Sequence, residues 1–247
     1  VYLILLICYN IRTSELYIIL KVVFMSKLKI MSMNFTPSFF LSKQSIPGEN
    51  EKMMRIASSY LSEDGPFDII LLQGKDAIGR GESLVKKDSY RFFSNSDSST
   101  AILTSRKLQV LYYPEIQRLG NIVVVQNVER HLALASVSLT RKRDLDLFKK
   151  QWNKFIDPNH VAYTDDQVIG GLFPSKEVIT TFAEKNDLLD TSQYIQSTCK
   201  ELENDSYSIL TSDNFELVDQ PHRQTGLVKE KYLKHCPIGI SVQTKMR

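Results

Sequence analysis

The stretch FDIILLQG at residues 67–74 decides how the rest of the chain is interpreted. Between Asp68 and Gln73 the apolar residues follow one another without a polar partner at alternate positions, which is typical of a short strand buried on both faces. Gly65 and Pro66 stand just before this stretch, and they end a helix predicted over 49–61 by its apolar spacing. The chain is therefore expected to contain a buried sheet with helices packed on it.

Strands and helices alternate along the chain from Leu28 onward, and we find no repeat, low-complexity tract or Pro/Gly linker. Strands are predicted at 28–34, 68–73, 100–105, 107–113, 121–127, 130–139, 168–173, 207–211 and 239–243. Further helices are predicted at 143–156 and 175–185, with Phe148 and Trp152 as core residues of the first. Residues 74–99 are polar and rich in Gly, Ser, Lys and Asp, which predicts a long surface loop. This order predicts an α/β fold of two packed mixed or antiparallel sheets flanked by helices, in a single domain over 25–247.

Composition places few limits on function. The 247 residues carry a formal charge of +3, with 43% hydrophobic and 24% charged residues, as in ordinary globular proteins. This small excess of charge favours neither a nucleic acid nor a membrane surface as partner. Cys8, Cys199 and Cys236 lie far apart, which predicts neither a disulfide framework nor a zinc site and fits a reducing, intracellular location.

Residues 1–24 differ from the rest of the chain. Two apolar runs, 1–9 and 16–24, are separated by a polar stretch that contains Arg12 and Glu15. Neither run reaches the roughly 18 residues that a membrane-spanning helix needs. We expect residues 1–24 to lie outside the domain and to make no membrane contact. The alternative is a real hydrophobic anchor or a docking segment, whose exposed apolar surface needs a partner to cover it.

Five segments of the chain resemble the conserved strand ends of the endonuclease/exonuclease/phosphatase (DNase I-like) superfamily. They are KIMSMNF at 29–35, FDIILLQG at 67–74, residues 131–139, VIGGLFP at 168–174 and HCPI at 235–238. The opening of the chain is most similar to neutral sphingomyelinases. The resemblance implies a four-layer sandwich, and it implies hydrolysis of phosphate esters with a bound divalent ion, usually magnesium. Such a site needs a cation and hard oxygen ligands, normally with at least one carboxylate.

The positions at which the resemblance places catalytic groups are mostly occupied here by other residue types. Asn34 and His235 match the pattern. Gly74 stands where a metal-binding Glu is expected, and Ser138 stands where a His is expected. The remaining replaced positions are Leu172, Pro174, Tyr207 and Lys234, where the pattern has Asp, Asn, Asp and Asp. Asn34 can equally serve the backbone at a strand end, and His235 can be an ordinary buried histidine beside Cys236.

The apolar residues around these replaced positions are retained, which indicates a preserved core without its reaction. We therefore expect a catalytically degenerate member that binds no metal or cofactor and acts as a binding or structural subunit, with protein partners in a larger assembly. The alternative is a divergent magnesium-dependent phosphodiesterase, sphingomyelinase-like or a nuclease, with Asp76, Glu82 or Asp88 supplying the missing carboxylate. Asp165 and Asp166 stand at the wrong end of their strand for that role.

A third hypothesis is a nucleic-acid-binding module without cleavage. Arg141, Lys142 and Arg143 are the possible phosphate contacts on which it rests. Asp144 and Asp146 dilute the positive charge of this cluster, so a solvated helix face is the expected role of these residues.

Overall fold

The computed structural model describes residues 27–35, 48–95, 99–112, 122–127, 131–160, 162–194, 206–223, 235 and 237–245. In chain order these residues form β1 (Leu28–Asn34), α1 (Glu49–Asp64), β2 (Ile69–Gln73), α2 (Ala77–Leu84), β3 (Tyr90–Ser94), β4 (Thr100–Ser105), β5 (Val110–Tyr112), β6 (Ile122–Asn127), β7 (Leu132–Ser138), α3 (Lys142–Ile156), β8 (Asp166–Leu172), α4 (Lys176–Lys185), β9 (Leu188–Asp190), β10 (Tyr207–Ser212), β11 (Phe215–Leu217), β12 (His222–Arg223) and β13 (Ile238–Thr244). Short 3-10 helices occupy Lys87–Ser89 and Thr191–Tyr194.

The strands form two sheets. The first has seven strands in the order β11–β13–β1–β2–β4–β3, with β12 also paired to β13, and the second has six in the order β5–β6–β7–β8–β10–β9. One parallel pair lies in each sheet, β1 with β2 and β7 with β8, and the other pairs are antiparallel. This confirms the predicted α/β fold of two packed sheets flanked by helices.

Three apolar layers hold the sandwich together because successive side chains of a strand point to opposite faces. Between the sheets lie residues such as Ile30, Ile69, Leu134, Val168 and Ile209. Outside the first sheet, α1 and α2 pack on Met31, Met33, Ile70 and Leu72. Outside the second sheet, α3 and α4 pack on Ala133, Ala135 and Ile169. Both faces of the central strands are therefore buried, as the continuous apolar runs indicate.

Helix α3 follows from its sequence. Leu145, Phe148, Trp152 and Phe155 recur at helical spacing and are the buried residues of this helix. The indole N–H of Trp152 donates a hydrogen bond to Gln167 Oε1 at 2.8 Å, so its one polar atom is satisfied in the core. The prediction that Phe148 and Trp152 belong to the core is confirmed.

The prediction of one long loop over 74–99 is wrong. This segment contains α2, the 3-10 helix Lys87–Ser89 and β3. The buried residues of α2 are Ala77, Gly81 and Leu84, which recur at helical spacing. The many polar residues around them make this short pattern hard to recognise in the sequence. Strand β3 lies at the edge of its sheet and is only partly buried, which explains the weak apolar pattern there.

None of the helices in the described ranges is both long enough and apolar enough to cross a membrane.

Candidate functional site

The positions singled out by the sequence meet at one edge of the sandwich. Because β1 and β2 run parallel, as do β7 and β8, their carboxyl ends lie at matching heights: Asn34 pairs with Gln73, and Ser138 pairs with Leu172. Antiparallel β10 starts at the same edge, where Tyr207 pairs with Leu172. Gly74 follows β2 directly, and Pro174 lies two residues beyond β8.

His235 also reaches this edge. It is only 6% exposed, and its ring stacks on Tyr207 with centroids 5.7 Å apart and an interplanar angle of 29°. Strand β13 begins three residues later, where Ile238 pairs with Ser32. Lys234 lies outside the described residues. The structure thus brings Asn34, Tyr207 and His235 to the edge where the strands end.

A buried hydrogen-bonded network crosses between the sheets just inside this edge. The Tyr207 hydroxyl donates to Gln73 Oε1 at 2.8 Å and lies 2.7 Å from Ser32 Oγ. Gln73 Nε2 donates to Ser136 Oγ at 2.9 Å, and Ser136 Oγ donates to the Leu72 carbonyl at 2.8 Å. Ser32, Gln73, Ser136 and Tyr207 are all 0% exposed. We call these four residues the inter-sheet network.

The inter-sheet network is made of neutral groups. It consists of one amide and three hydroxyls, whereas hydrolysis of a phosphate ester needs a cation and hard, charged oxygen ligands. Throughout the described ranges, no group of three or more His, Cys, Asp or Glu side chains is arranged to hold a metal ion. The described residues at this edge therefore do not form a set of ligands that suits a magnesium ion.

The backbone conformation at Gly74 gives a steric reason why a carboxylate ligand is disfavoured at position 74. Its φ is +105°, a conformation that side chains with a Cβ rarely adopt. A Cβ built there lies 3.0 Å from the Phe35 carbonyl carbon and 3.2 Å from Phe35 Cβ. Hydrogen bonds fix the turn, since Phe35 N donates to the Gln73 carbonyl at 2.7 Å and Gly74 N donates to the Ser99 carbonyl at 2.8 Å. A side chain at position 74, including a carboxylate, would therefore be strained in this turn.

We expect Gly74→Ala to lower the free energy of unfolding by about 2–4 kcal/mol, through backbone strain and contact with Phe35. Gly48→Ala is the matched control, because Gly48 also has a positive φ, +84°, yet nothing lies within 4 Å of a Cβ built there. The control is expected to lose about 1 kcal/mol. Urea unfolding followed by fluorescence measures both, and equal losses would show that the Phe35 contact has no effect.

Within the described ranges, the acidic residues considered as replacement ligands do not belong to any group of three or more that could hold a metal ion. Glu82 forms an ion pair with Lys87, with Oε2 and Nζ 2.5 Å apart, and Asp88 is exposed on a 3-10 helix. Asp76 directly precedes α2. Burial lowers the pKa of Arg80, and the negative charge of Asp76 opposes this shift. Asp166 begins β8, at the opposite end of that strand from Leu172.

The basic cluster lies at the start of α3 and is exposed. Arg141 is bound by Asp144 through two hydrogen bonds of 3.0 Å, from Nε and from one terminal nitrogen. These bonds and the charge of Asp144 raise the pKa of Arg141. Lys142 and Arg143 are exposed beside it. Asp144 thus offsets the charge of Arg141, in line with the dilution of positive charge that the neighbouring acidic residues indicate in the sequence.

Three members of the network, Ser32, Gln73 and Ser136, were missed from the sequence. A signal for them exists, because the inter-sheet faces of β1 and β7 both turn polar towards this edge. Along β1 this face reads Ile30, Ser32, Asn34, and along β7 it reads Leu134, Ser136, Ser138. Polar residues inside otherwise apolar buried strands require buried hydrogen-bond partners.

Gly170 allows the sheets to approach closely at the network. Its carbonyl lies 3.3 Å from Gln73 Nε2, and a Cβ built on it would lie 2.4 Å from Leu71 Cδ1 and 3.1 Å from Ser32 Oγ. A side chain at this position would therefore separate the groups that bond across the sheets.

No protein-family model matches the sequence, and no curated protein is significantly similar to it. Solved structures are similar over most of the chain. An endonuclease/exonuclease/phosphatase family protein from Bacteroides thetaiotaomicron aligns with a TM-score of 0.56 and 12% identity, over 90% of this chain and 100% of its own. The chain has the endonuclease/exonuclease/phosphatase fold. D. rerio TDP2 complexed with single strand DNA product aligns with a TM-score of 0.58 and 18% identity, over 89% of this chain and 100% of its own.

The human Nocturnin catalytic domain with bound sulfate anion is also similar, with a TM-score of 0.56 and 13% identity, over 89% of this chain and 94% of its own. Identities this low establish the fold and leave the reaction open. In this chain, Asn34 and His235 both lie at one edge of the endonuclease/exonuclease/phosphatase fold. The inter-sheet network lies just inside that edge.

Proposed function

We propose that this chain is a catalytically inactive protein with the endonuclease/exonuclease/phosphatase fold, which acts through contacts with other proteins as a binding or structural subunit. The observation that carries the proposal is the inter-sheet network of four fully buried neutral side chains. It lies at the strand ends where the superfamily resemblance leads us to expect charged catalytic groups.

Each member of the network is already engaged within the protein. The Tyr207 hydroxyl and the Gln73 amide are bonded to each other and to serines of both sheets. Their rearrangement towards a ligand would leave buried partners without hydrogen bonds, at about 1–3 kcal/mol for each group. The network therefore favours a closed, rigid structure over one that admits phosphate.

His235 does not supply the missing chemistry by itself. Its ring lies against Tyr207 in a nearly closed environment, and the residue that precedes it is Lys234. Phosphate transfer also needs groups that stabilise the charge developing on oxygen, and one histidine supplies only a small part of that demand.

A direct assay tests the proposal. The full chain is titrated with Mg²⁺ in the presence of bis(p-nitrophenyl) phosphate, a single-stranded DNA oligonucleotide or sphingomyelin, and product is measured. We expect no turnover above the protein-free rate. We also expect Mg²⁺ to leave the melting temperature unchanged, because an ion that binds only the folded state raises it.

Turnover that disappears in His235→Ala and persists in His131→Asn would overturn the proposal in favour of a divergent magnesium-dependent phosphodiesterase. His131 is a matched control because it is an exposed histidine, and its φ of +48° is one that asparagine adopts readily. The substrate that turns over would distinguish a sphingomyelinase-like enzyme from a nuclease.

A further inference from the structure

An apolar groove lies at one side of the sandwich, where the two sheets end. In the described part of the chain, β11 is the last strand of the first sheet and β9 is the last strand of the second. Between them is a cavity of about 510 Å³, whose apolar lining is Leu189, Tyr194, Phe215, Leu217, Val218 and Pro221. We call it the edge groove.

Two of the large hydrophobic side chains that are exposed within the described ranges line the edge groove. Tyr194 is 49% exposed and Val218 is 39% exposed, and Leu147 on α3 is the third large exposed hydrophobic residue within the described ranges. Edge strands also present backbone N–H and C=O groups that a further extended segment can pair with. Both properties suit an apolar, strand-forming occupant.

The first described residue of the chain lies at this groove. Lys27 Nζ is 2.5 Å from Asp219 Oδ2, and Asp219 lines the groove with Val218. In the first sheet, Leu28 and Leu217 pair with Val242 from its two sides. Two strand spacings separate them, so they lie about 10 Å apart.

The sequence just before Lys27 has the matching chemistry. Residues 16–24, LYIILKVVF, contain a single charge at Lys21 and are rich in β-branched and aromatic residues, which favour strands. Two residues, Met25 and Ser26, separate Phe24 from Lys27, so the three residue-to-residue steps between them reach about 10 Å when extended. Exposure of so many apolar side chains to water is unfavourable, so this segment needs a covering surface.

We propose that residues 16–24 of this chain dock in the edge groove and cover Tyr194 and Val218. Tethering favours this occupant over another molecule, because a segment joined to its site by a short linker has an effective concentration in the millimolar range. Lys21 is the one charged residue of the segment; the groove is lined by Glu216, Asp219 and Lys245, and because Asp219 is already paired with Lys27, Glu216 is the acidic partner for Lys21. The proposal does not depend on the absence of catalysis, because it concerns a different face of the molecule.

Photo-crosslinking in the full chain tests the proposal. Benzoylphenylalanine is introduced at position 218, with position 147 as the matched control, because Leu147 is 37% exposed and lies on α3, which does not line the groove. After irradiation, peptide mapping is expected to find position 218 joined within one molecule to residues 16–24. Position 147 is expected to show no crosslink to that segment.

Crosslinks from position 218 to 195–205, to 224–234 or to a second molecule, or no crosslink at all, would overturn the proposal. Position 194 serves as a second crosslinking site if the variant at 218 does not fold. In addition, the full-length double variant Ile18→Asp, Val22→Asp is expected to raise amide exchange in β11 at least about tenfold while leaving α3 unchanged. Unchanged exchange in β11 would also contradict docking.

Discussion

Tyr207→Ala is expected to lower the free energy of unfolding by about 3–5 kcal/mol, the range seen when a large buried aromatic side chain is removed. The Tyr207 side chain is fully buried, packs between the sheets and stacks on His235. Its removal leaves a cavity and also deprives Ser32 and Gln73 of their shared partner. Denaturant unfolding measures the loss, with Trp152 as the probe because it is the one tryptophan and is buried.

Tyr207→Phe separates the ring from the hydroxyl. It keeps the packing and removes one oxygen, so the expected loss is about 1–3 kcal/mol for buried partners left unsatisfied. A loss well below 1 kcal/mol in this variant would show that the hydrogen bonds of the network contribute little. The interpretation of the network as a structural device would then be wrong.

Gly171→Ala is expected to lower the free energy of unfolding by more than about 4 kcal/mol, enough to unfold many single domains. Gly171 has a φ of +143°, and a Cβ built on it lies 1.9 Å from the Val137 carbonyl oxygen. Val137 is its register partner in β7, so the clash is with backbone in the middle of the sheet. Relief requires the β7–β8 pairing to open at the strand ends.

The same Gly48→Ala variant controls for glycine replacement at a positive φ. Circular dichroism and the yield of soluble protein report whether Gly171→Ala folds, and denaturant unfolding gives the difference where it does. A stable Gly171→Ala protein with a loss near that of Gly48→Ala would mean that the sheet accommodates the extra carbon by a shift that the present register does not show.

Much of the fold was predictable because both faces of the central strands are buried. Continuous apolar runs such as that in β2 mark such strands whatever their neighbours are, and α3 shows its apolar face in sequence alone. The segment after β2 was not predictable in the same way. Strand β3 and helix α2 lie at the outside of the sheet, where polar residues are compatible with regular structure.

The inter-sheet network could not be predicted from its residues taken one at a time. The superfamily pattern singles out positions that hold other residue types in this chain, such as Gly74 and Tyr207. Ser32 and Ser136 become significant only when the sheets are stacked, because their partners lie 175 and 64 residues away in the chain. Separations of this size are set by how the two sheets pack, which no local pattern specifies.

The tight turn between β2 and α2 also limits which substitutions at position 74 the protein can tolerate. Phe35 lies next to Gly74, so an acidic side chain at position 74 would be strained in the present turn. A mutational route towards a metal-binding carboxylate at that position must first reshape the turn, or pass through a protein of reduced stability. A metal-binding carboxylate therefore cannot be introduced at position 74 by one substitution without a loss of stability.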